Sequence, residues 1–286
     1  MRIYKDKTFG MLIAQCFSIA EHQTAKQWSK VFLLRYWIAN KLFPVIRIEV
    51  GSGDHIYFKA LSLLTAGRAR NMLSKEPATT AWVKGFEKDA VFWDIGANVG
   101  IYSLLAAKTR GARVYAFEPY PPNFDNLIAN ISLNKLTEYV STFCVAFAEK
   151  TCVDGFYVNR NWQGAGASGN AFGSAIDQKG QAFQAAERIS TLGMTIDHFI
   201  EIFDVPCPNY LKIDVDGIEL NILKGASKTL SNPTLRSVVV ELEESRDSET
   251  SAAVALMKAA GFRIDGTHRT TANPDNLSTN YHFVRG

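Results

Sequence analysis

The sequence predicts an α/β protein built on a doubly wound, mostly parallel sheet, and two observations carry that prediction. From residue 90 onward, short apolar runs alternate with segments of helical length and pattern, as in repeated strand–helix–strand units. The best of these runs are continuously apolar, as strands covered on both faces require. With 286 residues, 47% hydrophobic and 21% charged, the chain can bury an ordinary core. That length bounds it to one large domain plus a smaller appended element.

The elements follow in order. Residues 1–80 are expected to form a mostly helical N-terminal extension or cap, and 81–286 the main domain. Residues 25–43, "AKQWSKVFLLRYWIANKLF", suit a helix that Pro44 stops. Lys26, Lys30, Asn40 and Lys41 fall on one side, with Trp28, Phe32, Ile38 and Leu42 on the other. Two readings stand: a face for peripheral contact with a membrane or a partner, or a cap packed on the main domain. Residues 1–47 carry eight Lys or Arg against two acids, although the whole chain is only +3. "VIRIEV" and "HIYFKAL" read as two strands around Gly51 and Gly53, and helical segments follow near 62–73 and 77–86.

The regular series begins with the strand "AVFWDIG" and the helix "GIYSLLAAKTRG", which closes on Gly111. "RVYAFEP" is the second strand, and "PPNFDNLIANISLN" a helix with Pro at its start. "YVSTFCVAF" is the third strand and "NYLKIDV" (209–215) the fourth. "GIELNILKGASKTL" reads as one helix, "RSVVVELE" as the fifth strand, and "SETSAAVALMKAAG" as a helix ending in Gly261. "FRIDGTH" and "NYHFVRG" are the closing strands. Residues 159–190, rich in Gly, Ala, Ser and Gln, interrupt the series as one long loop, either a substrate lid or a surface insertion.

In such sheets the ligand sits beyond the carboxyl ends of the strands, and three of those ends deliver an acid. Asp94 comes with Gly96 and Gly100, in the spacing D-x-G-x-x-x-G. Asn98 stands where a dinucleotide turn, G-x-G-x-x-G, would place its second glycine. The acid disfavours a bare phosphate and suits a ligand bearing a positive group. Glu118 closes the second strand, where a carboxylate can take both hydroxyls of a ribose. Asp214 lies in "LKIDVDG", with Asp216 and Glu219 behind it. A ribose, a positive group and no phosphate describe S-adenosylmethionine.

"VFWDIGANVGIYSL", "VYAFEPYPPNFDNLIANISLN" and "YLKIDVDGIELNILKGA", in this order, closely resemble the FkbM family of S-adenosylmethionine-dependent O-methyltransferases. The resemblance covers residues 80 to 245, and "NYHFVRG" is similar to the family's last strand. It implies a class I methyltransferase (Rossmann-like) sheet of seven strands with the last antiparallel. It also implies that Asp94, Gly96, Ala97, Asn98 and Gly100 line the methionine side of the cofactor and that Glu118 holds its ribose. Ala146 and Phe147 would lie near the adenine, and Asp214 nearest the transferring methyl. The family commonly has Glu where this chain has Asp216, which puts in doubt any role needing the longer side chain.

The implied reaction is methyl transfer to a hydroxyl of a small molecule, sugar or glycan, or polyketide-like acceptor. The alternative is a module that keeps the fold and the cofactor without turnover. Asp214 is either the base that takes the acceptor's proton or a group that orients the cofactor. Glu219 and Asp216 suit the first turn of the next helix. His268 stands at a strand end as a second candidate base. No metal is expected, because Asp214 and Asp216 have no evident third ligand. No nucleic-acid partner is expected either: net charge is low, and "DVDG" stands where base N-methyltransferases carry an NPPY-like tetrapeptide. Four cysteines without a C-x-x-C pair suit a reducing, cytoplasmic setting. No run of 18 uncharged apolar residues suits a spanning helix, and Gln15 and Ser18 weaken the likeness of the first 21 residues to a signal peptide.

Overall fold

The computed structural model describes residues 44–161, 163–269 and 278–286, and the helix expected at 25–43 lies outside them. Gly51 and Gly53 take φ of +112° and +78° with Ser52 between them at +55°. The chain reverses there, and β1 (Val45–Gly51) pairs antiparallel with β2 (Asp54–Lys59). Next come α1 (Leu63–Arg70), capped by the Ser62 hydroxyl, which accepts from the Thr65 N–H, and α2 (Pro77–Lys84).

The main sheet holds β3 (Val91–Ile95), β4 (Arg113–Phe117), β5 (Val140–Phe143), β10 (Tyr210–Ile213), β11 (Ser237–Glu243), β12 (Phe262–Arg269) and β13 (Ser278–Arg285). Their order is β12-β13-β11-β10-β3-β4-β5. Only β13 runs antiparallel to its neighbours. Strand order reverses between β3 and β10, so the crevice of a doubly wound sheet opens at their carboxyl ends. The helices are α3 (Ile101–Arg110), α4 (Pro121–Leu133), α5 (Ile196–Phe203), α6 (Glu219–Lys224), α7 (Ser227–Ser231) and α8 (Asp247–Ala259).

Strand alternation divides the core into two layers. Phe92, Val114 and Ala116 pack against Ile56, Phe58, Val83, Leu104 and Leu127 from the hairpin, α2, α3 and α4. Trp93, Ile95, Tyr115 and Phe117 pack against Phe147, Phe199, Ile222 and Met257 on the other face. The hairpin is tied to α4 by three asparagines at helical spacing. Asn134 and Asn130 accept from the Tyr57 and Lys59 N–H groups, and Asn126 donates to the Lys59 carbonyl.

Three expectations need correction. "YVSTFCVAF" is not one strand. β5 ends at Phe143 because its partner β4 ends at Phe117, and the following backbone pairs elsewhere. Ala146–Phe147 becomes β6 of a second sheet, ordered β6-β9-β7-β8, with β7 (Cys152–Asn159), β8 (Ala171–Phe172) and β9 (Ala185–Met194). The loop expected at 159–190 therefore shrinks, since β9 takes up its last residues by pairing antiparallel with β7. The helix expected over 217–230 breaks at Gly225, where a Cβ would come within 2.5 Å of the Ala148 carbonyl oxygen.

Candidate active site

One cavity occupies the crevice. Its walls include Gly96, Asn98, Phe117, Glu118, Val145, Ala146, Phe147, Asp214 and Asp216. The turn after β3 is shaped by close approach. Gly96 takes φ +81°, and a Cβ there would lie 1.8 Å from the Asp214 carbonyl oxygen, so only glycine lets β3 and β10 end side by side. The Gly96 and Ala97 N–H groups both donate to the Phe117 carbonyl, which ties this turn to the end of β4. Asn98 follows in the left-handed region at φ +51°, where Asn is tolerated. At Gly100, φ +90°, a Cβ would meet Leu127 at 2.6 Å.

The Glu118 carboxylate is buried and accepts from the Asn98 N–H (2.8 Å) and the Tyr120 N–H (2.9 Å). Burial raises its pKa to about 7 against the opposing pull of those N–H groups. Asn123 Nδ2 adds a third, longer contact at 3.5 Å; a carboxylate offers about four lone-pair directions, so acceptor capacity for a ligand remains.

Register then builds an ion cluster. Lys212 of β10 pairs with Asp94 of β3, and its side chain is only 2% exposed, a position lysine holds only when paired. Its Nζ donates to Asp214 Oδ2 at 2.7 Å and lies 5.0 Å over the Tyr102 ring. Burial works against this ammonium, yet Asp214, Asp94 and Glu76 raise its pKa above the usual lysine value. Burial also disfavours the charge on Asp214, but Lys212 and Lys75 outweigh it and hold that carboxyl well below the usual range. Asp94 accepts from the Ser103 hydroxyl at 2.6 Å, and burial raises its pKa despite Lys212. Its Oδ1, like Asn98 Oδ1, is buried without a hydrogen-bond partner among the described residues.

The same cavity is also lined by a polar set: Asp216, Glu241, Gln178, Asn170, Arg68 and Lys75. Burial and then Asp214 raise the pKa of Asp216 to about 6. The same two causes raise Glu241 well above a normal carboxyl.

The segment from Gly164 to Asn170 crosses this cavity as a strap. The Ala167 carbonyl accepts from Asn98 Nδ2 (2.9 Å) and Asn123 Nδ2 (3.1 Å), and the Gly166 N–H donates to Asn123 Oδ1 (2.8 Å). On one side Ser62 Oγ donates to the Ala165 carbonyl and Arg68 Nε to the Gly166 carbonyl. On the other, the Gly169 N–H donates to Asp216 Oδ2 at 2.7 Å.

The structure thus brings Gly96, Asn98, Glu118, Ala146, Phe147 and Asp214 to one cavity. Asp94, Ala97 and Gly100 lie one layer beneath, where they shape the turn. His268 faces His282 at a ring distance of 5.1 Å on the edge of the sheet, away from the cavity walls. Sequence reasoning missed Lys212, Glu241, Arg68 and Lys75. Lys212 and Glu241 did carry a signal, a charge inside an apolar run, but Arg68 and Lys75 carried none. No three metal-ligating side chains are grouped among the described residues. None of the described helices is long and apolar enough to cross a membrane.

Residues 94–264 match the family model for the methyltransferase FkbM domain. The chain is 29% identical over 226 residues to the hexuronic acid methyltransferase AglP of Haloferax volcanii, covering 76% of this chain and 84% of that one. It is 28% identical over 193 residues to the 31-O-demethyl-FK506 methyltransferase FkbM of Streptomyces tacrolimicus, covering 62% and 73%. Among solved structures, a methyltransferase FkbM from Methylobacillus flagellatus aligns at 15% identity with a TM-score of 0.49, covering 78% of this chain and 62% of that one.

Proposed function

The chain belongs to the FkbM methyltransferase family, and from that premise we propose that it moves the methyl group of S-adenosylmethionine to a hydroxyl of a polar, sugar-like acceptor. The observation that carries this reading is the continuity of the cavity. The cradle of Gly96, Asn98 and Glu118 opens directly into a chamber of Asp216, Glu241, Gln178, Asn170, Arg68 and Lys75. Such a lining matches an acceptor rich in hydroxyls better than an apolar polyketide, whose burial would strand those groups. The relative that acts on a hexuronic acid supports the same choice.

The residues present fit the cofactor. Glu118 keeps free acceptor capacity for a ribose diol, and Asn98, a wall residue whose Oδ1 has no partner among the described residues, suits a cationic amino-acid end, with the Asp94 carboxyl beneath it. Val145, Phe147, Phe117 and Ile218 offer apolar walls for an adenine. When bound, S-adenosylmethionine supplies a methyl already activated by its sulfonium. The protein's task is then alignment, which in favourable cases contributes about 7–11 kcal/mol. Asp214, pinned by Lys212, orients groups at the junction of cradle and chamber. A cofactor-binding module without turnover would have no use for that polar chamber.

Calorimetry with S-adenosylhomocysteine, followed by methyl transfer from labelled S-adenosylmethionine to hexuronic acid glycosides, neutral glycosides and polyketide alcohols, tests the reading. Binding, with transfer to a glycoside, is expected. Absence of binding by either sulfur ligand would sink it, and transfer to the polyketide alcohols alone would overturn the acceptor class.

A further inference from the structure

Transfer to a hydroxyl needs a group that takes the proton, and the chamber holds three carboxyls at the right place: Asp214, Asp216 and Glu241. Two of them are otherwise engaged. Asp214 is tied to Lys212 at 2.7 Å, and a carboxylate so stabilised is a poor proton acceptor. Burial and the neighbouring Asp214 charge raise Glu241 well above a normal carboxyl, which favours its neutral form.

Asp216 differs from both in geometry. It sits just beyond the β10 end with φ +66°, a left-handed conformation that few non-glycine residues adopt. The strap holds it there: the Gly169 N–H donates to Oδ2 at 2.7 Å. Among the described residues no ion pair ties it and no donor meets Oδ1. We propose that Asp216 is the residue that accepts the acceptor hydroxyl's proton, aimed into the chamber by the strap. This rests on the O-methyl transfer reading above.

The charged groups around it fit that role. Arg68 from α1, Lys75 beyond α1, Asp214 at the end of β10, Glu118 at the end of β4 and Glu241 from β11 all face the same cavity. Glu219 of α6 accepts from the Val215 and Gly217 N–H groups on either side of it. Burial and the Asp214 charge raise the Asp216 pKa, while the Gly169 N–H, Arg68 and Lys75 restrain the rise, leaving it at about 6. A base with a pKa close to the working pH is the favourable compromise between being ionised and being basic. In the step, the acceptor O–H bond breaks and its proton goes to a carboxylate oxygen of Asp216. A new O–CH₃ bond forms as the C–S bond breaks, and that electron pair stays on sulfur, giving neutral S-adenosylhomocysteine. Asp216 then returns the proton to solvent.

The test uses full-length protein loaded with S-adenosylhomocysteine. Carbon-13 NMR of labelled aspartate carboxyls, comparing wild type with D216N, identifies the Asp216 resonance. It is expected to titrate at about 6; titration at or below the ordinary aspartate value overturns the proposal. Calorimetric affinity for S-adenosylhomocysteine is expected to change less than about threefold in D216N, since no cradle contact is lost. With methyl glucuronide as the acceptor probe, kcat of D216N should fall about 10²–10⁴-fold and lose its acid limb, with D216E recovering part of the rate. A D216N enzyme that keeps the wild-type kcat also overturns the proposal. Failure of the wild type to bind S-adenosylhomocysteine would refute the methyltransfer reading itself, a result distinct from either of these.

Discussion

The carboxyl rim of the seven-stranded sheet and the strap from Gly164 to Asn170 wall the same cavity, but different forces hold them. The rim is placed by register. Lys212 sits opposite Asp94, and Gly96 lies against the Asp214 carbonyl, because parallel strands align them. The strap has no ladder of its own. Side-chain amides of Asn98 and Asn123, with Ser62, Arg68 and Asp216, hold its backbone. The rim is therefore fixed by strand pairing, whereas the strap is held by side-chain hydrogen bonds and by Ala167 packed beside Tyr120, Phe156 and Phe172.

Substitutions should separate the two. The largest effect is expected at Lys212. Lys212→Met leaves the buried Asp94 and the half-buried Asp214 without their cation, and losing one partner of a buried ion pair costs about 3–5 kcal/mol. Both carboxyl pKa values would then stand above their unfolded values. The variant's stability is thus retained below the unfolded pKa and lost as pH rises through the folded one, which thermal unfolding across pH would reveal. A pH-independent loss would mean that packing, not charge, is what Lys212 supplies.

Gly96→Ala comes next. A Cβ 1.8 Å from a backbone oxygen forces the turn away from β10, and S-adenosylhomocysteine affinity should fall at least ~100-fold, about 2.7 kcal/mol. Unchanged calorimetric affinity would show that the cradle is not at this turn. Glu118→Gln should lose about 1.5 kcal/mol of ligand binding, the worth of a hydrogen bond to a charged group. In the wild type, affinity should rise with pH through about 7, because a diol binds the ionised Glu118. A flat pH profile would remove Glu118 from ligand contact. The smallest effect belongs to the strap. Asn123→Ala should weaken ligand binding by about 1 kcal/mol while shifting the melting temperature little. A large drop in melting temperature would show that the strap belongs to the core after all.

Legibility in the sequence divides along the same line. The continuous apolar strands, the glycines of "WDIGANVG" and the acids at strand ends were all readable, because each is a local pattern that parallel sheets impose. The ion cluster was half readable. Lys212 inside "YLKIDV" announced a paired charge, but its partner Asp94 lies more than a hundred residues away and meets it only through strand register. The strap residues looked like one long loop, since glycine and alanine carry no periodic signal. β9 inside the same stretch was hidden because most of its side chains are exposed or half-buried. "YVSTFCVAF" misled for a related reason. Its composition suits a strand throughout, and only the end of the neighbouring β4 stops it.

By itself the sequence determined the sheet class, the glycine turn from Asp94 to Gly100 and the acid Glu118 at a strand end, because local periodicity and turn chemistry suffice for these. Tertiary structure alone decided which of two acids spaced two residues apart is neutralised. Lys212 points from β10 to Asp214, while the strap gives Asp216 only one N–H donor. A carboxyl's charge state depends on what is brought beside it: Lys212 comes from the same strand, but Lys75, Arg68 and Gly169 arrive from other segments of the chain.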